Sequence, residues 1–169
     1  AGATESVIRG NYIGTNAAGD AAIPNLVGIT IANAPNTTIG GFVSDMGNLI
    51  SGNTNDGVFI DNSSATQLTA NLIGTDSTGN SALANGSQGI RISHSAFNTV
   101  GGSTAGTRKV ISGNNGNGVL ISGVSSFNNV VSGNYIGVDS SGTVAVRNAL
   151  REVNISVSSF NTIGRTTAA

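Results

Sequence analysis

Residues 110–137 read VISGNNGNGVLISGVSSFNNVVSGNYIG, and nearly every other segment of the chain is an edited copy of part of this stretch. Laid over residues 49–74, LISGNTNDGVFIDNSSATQLTANLIG, its apolar pairs, glycines and asparagines fall into register after a small slip near Thr66. Three short apolar patterns recur in fixed order, each rich in branched residues and bounded by Gly, Asn and Ser, which is a strand signature. The first is Tyr12-Ile13, Leu49-Ile50, Leu72-Ile73, Val110-Ile111 and Tyr135-Ile136, usually preceded by Asn. The second carries Ile29 and Ile31, Val58 and Ile60, Ile90 and Ile92, Val119 and Ile121, Val153 and Ile155. Its two-residue alternation puts both branched residues of each copy on one face. The third carries Ile8, Ile39, Leu68, Val100, Val131 and Ile163.

Spacing decides among the possible folds. The third-pattern residues lie 31, 29, 32, 31 and 32 apart, a near-constant coil in the range of solenoid repeats. A helical or leucine-rich repeat needs a sustained i, i+3, i+4, i+7 pattern, and Gly, Ser or Asn interrupts every candidate segment. Three strands per coil, stacked coil on coil, give an all-β parallel β-helix of about five coils, with Ile31, Ile60, Ile92, Ile121 and Ile155 as one interior column. A second period lies over the first. The connection from first to second strand is long at residues 15–28, 75–89 and 138–152 but short at 51–57 and 112–118. Connections from third to first strand alternate as well, long at 40–48 and 101–109 and short at 69–70 and 132–133. The repeat is therefore a two-coil unit of about 62 residues, as the steps of 60 and 63 between Asn11, Asn71 and Asn134 show.

In a solenoid, length sets coil number, so residues 1–169 read as one domain. Charged residues make up 9% of the chain against roughly 25% in an average soluble protein. With a net charge of -1, the sequence offers neither a nucleic-acid footprint nor an anionic-membrane footprint. It contains no 18-residue apolar run, and no cysteine for disulfides or thiolate metal sites. The opening AGATESVIRG carries no initiator Met and no signal-peptide core, so the chain is expected to be a processed product or a piece of a larger repetitive protein. Neither residues 1–6 nor residues 165–169 resemble a cap, so unpaired strand edges are expected at both ends, templates for end-to-end or edge self-association.

The elbows between second and third strands hold Phe97, Phe127 and Phe160, read as rungs of one row followed by Asn98, Asn128 and Asn161. Stacked rings and amide ladders are the structural expectation, and an aromatic platform for sugar rings is the functional one. The long connections GTNAAGDAAIPN, GTDSTGNSALAN and GVDSSGTVAVRN resemble one another and are expected to stack as a ridge. In them Asp76 and Asp139 suit a turn-capping role better than Ca²⁺, which takes six to eight oxygens and usually several carboxylates, and Asn16 stands at their position in the first copy. No cofactor and no metal site is read from the sequence.

The blocks GNYIGT, GNYIGVD and NTIG, with NVVSGN-like and NGVLIS-like segments, resemble the right-handed parallel β-helix repeats of bacterial secreted and surface proteins, the pectin-lyase-like superfamily. That resemblance implies a right-handed solenoid and spans pectate lyases, polygalacturonases, mannuronan epimerases, phage tailspikes and adhesins, so it is a guide to fold and a poor one to activity. The Asp-Pro-His-Asp block of the epimerases and the paired-Asp and Gly-His-Gly blocks of the polygalacturonases do not occur in this chain. The outward second-strand row, Thr30, Phe59, Arg91, Leu120 and Asn154, lacks the grouped carboxylates and cations that uronate chemistry requires. Asp61, Arg91 and His94 are the constellation that neighbouring coils would bring to one edge, either as a surface ion pair with a solvated His, a carbohydrate-binding spot or an acid/base site. The function expected is a non-catalytic structural or adhesive segment of an exported repeat protein, extracellular or at the cell surface. The alternatives are a carbohydrate-binding module and a polysaccharide lyase, epimerase or hydrolase, with a polysaccharide as the partner in either case.

Overall fold

In the computed structural model, residues 3–41, 46–102 and 109–164 are described. Residues 1–2 and 165–169, with 42–45 and 103–108 in the two long connections from third to first strand, lie outside them. The chain winds through β1 (Val7–Ile8), β2 (Tyr12–Ile13), β3 (Ile29–Ala32), β4 (Thr38–Gly40), β5 (Leu49–Ile50), β6 (Val58–Asp61), β7 (Gln67–Thr69) and β8 (Leu72–Ile73). It continues through β9 (Ile90–Ser93), β10 (Thr99–Gly101), β11 (Val110–Ile111), β12 (Val119–Ser122), β13 (Val130–Ser132), β14 (Tyr135–Ile136), β15 (Val153–Ser156) and β16 (Thr162–Ile163). Every third strand returns to the same sheet. The first sheet orders β14-β11-β8-β5-β2, the second β15-β12-β9-β6-β3 and the third β1-β4-β7-β10-β13-β16. Within the three sheets every strand pairing is parallel, so the fold is an all-β solenoid of about five coils with three sheets.

Register follows the sequence pattern. Ile31 pairs with Ile60, Ile60 with Ile92, Ile92 with Ile121 and Ile121 with Ile155. The first four are buried, each contributing about 1.5–3 kcal/mol by burial. Ile155, on the fifth coil, is 40% exposed because none of the described residues stacks above it. The third sheet adds Ile39, Leu68, Val100 and Val131 to the same core, and the first sheet adds Ile50, Ile73 and Ile111. Leu49 is also buried, although it points outward, because the preceding long connection folds over it. At Gly19 (φ +71°) a β-carbon would come within 2.7 Å of Leu49 Cδ2, so the tip of that connection takes glycine.

The polar corners are held by asparagine ladders. Asn11 donates its backbone N–H and its side-chain amide to Asn48 Oδ1, both at 3.0 Å, and Asn48 does the same to Asn71 Oδ1. A second ladder runs Asn25, Asn53, Asn85, Asn114, Asn148, with side-chain steps of 3.1, 2.9, 2.9 and 2.9 Å. A third runs Asn98, Asn129, Asn161. Because an amide oxygen has two lone pairs, each rung can satisfy a backbone and a side-chain donor of the coil before it. This third ladder corrects the expected row of Asn98, Asn128 and Asn161. The elbow after Ile121 is two residues longer than its counterparts, with a turn closed by Ser126 N–H to Gly123 O at 2.9 Å. The insertion moves Asn129 into the rung and puts Asn128 (φ +54°) level with Phe97 and Phe160. The Phe rings correspondingly do not form one stack. Phe97 and Phe127 meet edge to face at 5.5 Å, and Phe97 and Phe160 are exposed.

The first ladder breaks at Lys109, which sits where the other coils carry Asn and is fully buried, the largest such side chain among the described residues. Its Nζ finds no hydrogen-bond partner, and neither does Asn134 Oδ1 on the next coil, the oxygen that an Asn at position 109 would have served. Burial holds the Lys109 amine well below its ordinary value of 10.5. The unfolded chain therefore binds one more proton than the fold between those two values, and stability rises with pH across that window. Lys109→Asn should raise stability by about 1–3 kcal/mol near neutral pH by completing the ladder. Its advantage over the wild type should shrink as pH approaches 10.5, at up to about 1.4 kcal/mol per pH unit, in urea titrations at several pH values. In the same titrations Ile92→Ala should cost about 2–5 kcal/mol and Ile155→Ala less than half of that.

Candidate binding surface

The second sheet presents Thr30, Phe59, Arg91, Leu120 and Asn154 outward in register, one per coil. Alternation on β6 and β9 sends Val58, Ile60, Ile90 and Ile92 to the core and leaves Phe59 and Arg91 side by side. The guanidinium of Arg91 lies 4.8 Å from the centre of the Phe59 ring, a cation–π contact. Its Nη1 is 3.8 Å from Asp56 Oδ2. Asp56, in the short connection before β6, is buried and accepts the backbone N–H of Gln88 at 3.0 Å.

Of the three residues that the sequence singles out, two meet. His94 Nδ1 and Asp61 Oδ1 are 3.0 Å apart on adjacent coils, with both side chains open to solvent. Arg91 turns instead to Asp56 and Phe59, so its ionic partner is Asp56. The Phe59–Arg91 contact is readable from the outward row, since β6 and β9 are neighbours. Asp56 is not, because it belongs to a connection whose path no periodicity fixes. His94 also has a backbone role. With φ +48° it occupies the left-handed kink that Asn33 (φ +53°) and Asn62 (φ +46°) make on the coils before it, a conformation in which Asn and His are enriched. An exposed pair of this kind is worth about 0–1 kcal/mol.

The long connections form the expected ridge. Each closes an antiparallel bridge, Thr15 to Ala22, Thr75 to Ala82 and Val138 to Ala145. They stack two coils apart, Ser77 N–H donating to Gly19 O and Ser140 N–H to Gly79 O, both at 2.9 Å. Asp76 Oδ1 accepts from Thr78 Oγ1 at 2.8 Å and from the N–H groups of Asn80 and Ser81. Asp139 makes the same turn with Ser141, Thr143 and Val144, and Asn16 does so with Asp20 and Ala21. The two carboxylates are thus turn caps. Partial burial pushes the Asp76 carboxyl up, but the bonds from Thr78, Asn80 and Ser81 together hold it below its ordinary value, and Asp139 is held low in the same way. No group of three or more metal-ligating side chains occurs among the described residues.

A cleft of about 250 Å³ opens on the outer face of the first sheet, between Tyr12, Leu49, Leu72 and Ser77. No motif marks it in the sequence. Its signal is the alternation itself, because a short-connection coil between two long ones leaves a gap beneath the ridge. Among the described residues no helix is long and apolar enough to cross a membrane.

A folded carboxyl held low contributes stability that is present above its ordinary value and is lost as pH falls through its folded value. In an NMR titration Asp76 and Asp139 should therefore titrate below 3.8, and Thr78→Ala should move Asp76 back toward that figure while leaving Asp139 in place. Comparisons with family models, with curated proteins and with solved structures find no match to the chain.

Proposed function

We propose that this chain is a structural, adhesive β-solenoid segment of an exported repeat protein, resembling the pectin-lyase-like group in build and not in chemistry. The observation that carries the reading is how the ionisable groups of the outward face are used. Asp56 ties a neighbouring connection and Arg91, His94 shapes a kink, and Asp76 and Asp139 close turns. Elimination or hydrolysis of a polysaccharide requires a base and an acid aimed at one reacting atom. Here the pair that does meet, Asp61 and His94, stands in open solvent. A neutral surface rich in Asn, Ser, Thr and Gly fits an extracellular or cell-surface setting, and an open strand edge is a route to self-association.

A carbohydrate-binding module is the second reading. The exposed Phe97 ring, braced edge-on by Phe127, and the cleft beside Tyr12 favour it. Sugar rings stack on such aromatic faces while hydroxyls and amides beside them take hydrogen bonds. The purified chain should leave pectate, alginate and polygalacturonate intact and give no signal on a neutral glycan array. Turnover that His94→Ala or Asp61→Ala abolishes would replace the structural reading with an enzyme. Glycan binding lost in Phe97→Ala or Tyr12→Ala would replace it with the binding module.

A further inference from the structure

The residue that precedes the second strand is Gly28, Gly57, Gly89 and Gly118 on the first four coils and Glu152 on the fifth. The reason for glycine is the coil above. A β-carbon at Gly57 would lie 2.7 Å from Gly89 O and 2.8 Å from Asn85 Nδ2, and one at Gly118 would lie 2.7 Å from Glu152 O and 2.8 Å from Asn148 Nδ2. Each of these distances is shorter than packed carbon tolerates, and one partner in each pair is backbone. Glu152 has its β-carbon at this position, so a sixth coil of the same build would collide with it.

The carboxylate also takes a specific place. In the second ladder each Asn amide can spend one hydrogen on a carbonyl of the coil before and one on the Asn Oδ1 of the coil after. Asn114, for example, reaches Ile73 O and Asn148 Oδ1. Asn148 reaches Ile111 O in the first direction and the Glu152 carboxylate in the second. Glycines below mark the same spot. A β-carbon at Gly14 would meet Asn53 Oδ1 at 2.4 Å and one at Gly74 would meet Asn114 Oδ1 at 2.3 Å, each belonging to the next coil. Over Gly137 the atom met, at 2.3 Å, is Glu152 Oε1. At the third corner Asn161 repeats the device, giving one hydrogen back to Ser126 O and the other to Ser158 Oγ, within its own coil. The opposite end has no such arrangement, and Oδ1 of Asn11 and of Asn25 accept no hydrogen bond from the described residues.

We infer that Glu152 is a built stop, its carboxylate standing in for the Asn of a sixth coil and its side chain refusing that coil. The coil-5 end face then accepts neither a continuing coil nor the coil-1 end of a second copy. Head-to-tail growth of copies into filaments is closed off in the same way.

The test appends an in-phase duplicate of residues 41–101, a short-connection coil followed by a long one, directly after Gly164. Gly164 follows β16 at the position that Gly40 and Gly101 take in the third sheet, so the duplicate enters in register. With Glu152 retained, or with E152Q, which keeps the bulk, the appended unit should be digested at least tenfold faster than the parent coils. With E152G it should be protected to the same degree as they are and unfold with them in one transition. Equal protection with Glu152 in place, or equal digestion in both backgrounds, would overturn the proposal. In parallel, sedimentation of the unextended chain over a concentration series should show monomer and at most dimer, and head-to-tail species longer than a dimer would also overturn it.

Discussion

Each coil of this protein leaves its corner amides to be satisfied by the coil above, and the rest of the structure depends on that bond between coils. A short strand of two to four residues cannot hold a register by itself. What fixes it is the corner, where one amide oxygen takes two donors from the coil below and leaves room for neither slip nor a longer side chain. Buried polar corners of this sort are stabilising only when complete, since an unpaired buried donor or acceptor costs about 1–3 kcal/mol. Lys109 shows the incomplete case, leaving two orphaned polar atoms at adjacent rungs in an otherwise continuous ladder.

The strands and their register are legible in the sequence because both are written in spacing. Branched residues recur at a near-constant interval, and stacking demands that like sit on like, so the pairs Ile60 with Ile92 and Leu68 with Val100 follow from the repeat alone. Where spacing changes, the reading slips. The elbow after Ile121 carries two more residues than the others, and the Phe-Asn pattern of the other elbows puts Asn128 in the rung that Asn129 fills. The candidate site suffers more from the same weakness. Asp61 and His94 flank strand ends and can be placed, whereas the partner of Arg91 lies in a connection where turn geometry, not periodicity, sets direction.

Departures from the repeat tell more than the repeat does. His94, Lys109 and Glu152 each stand at a position that other coils give to a residue with a backbone reason, namely left-handed Asn, ladder Asn and close-approach Gly. His94 keeps the conformation and adds an ionisable ring at the surface. Lys109 keeps the burial and loses the hydrogen bonds. Glu152 loses the small size and sets its carboxylate over Gly137, where Gly14 and Gly74 meet the Asn of the next coil.

The ladders are polar, and their polarity makes the two kinds of replacement unequal. Donors point up the solenoid and acceptors point down, so an altered rung in mid-stack deprives the oxygen above it, as Lys109 deprives Asn134, while the rung below keeps the bond to the coil before it, as Asn71 does to Ile39 O. At the top of a stack the need is reversed, because what remains there are donors. A carboxylate is acceptor-only, and on Glu it reaches one carbon farther than the Asn amide. That suits Glu to closing a donor-terminated corner and would suit it poorly at the bottom, where open Oδ1 atoms call for donors. The chemistry that can end this fold is therefore different at its two ends.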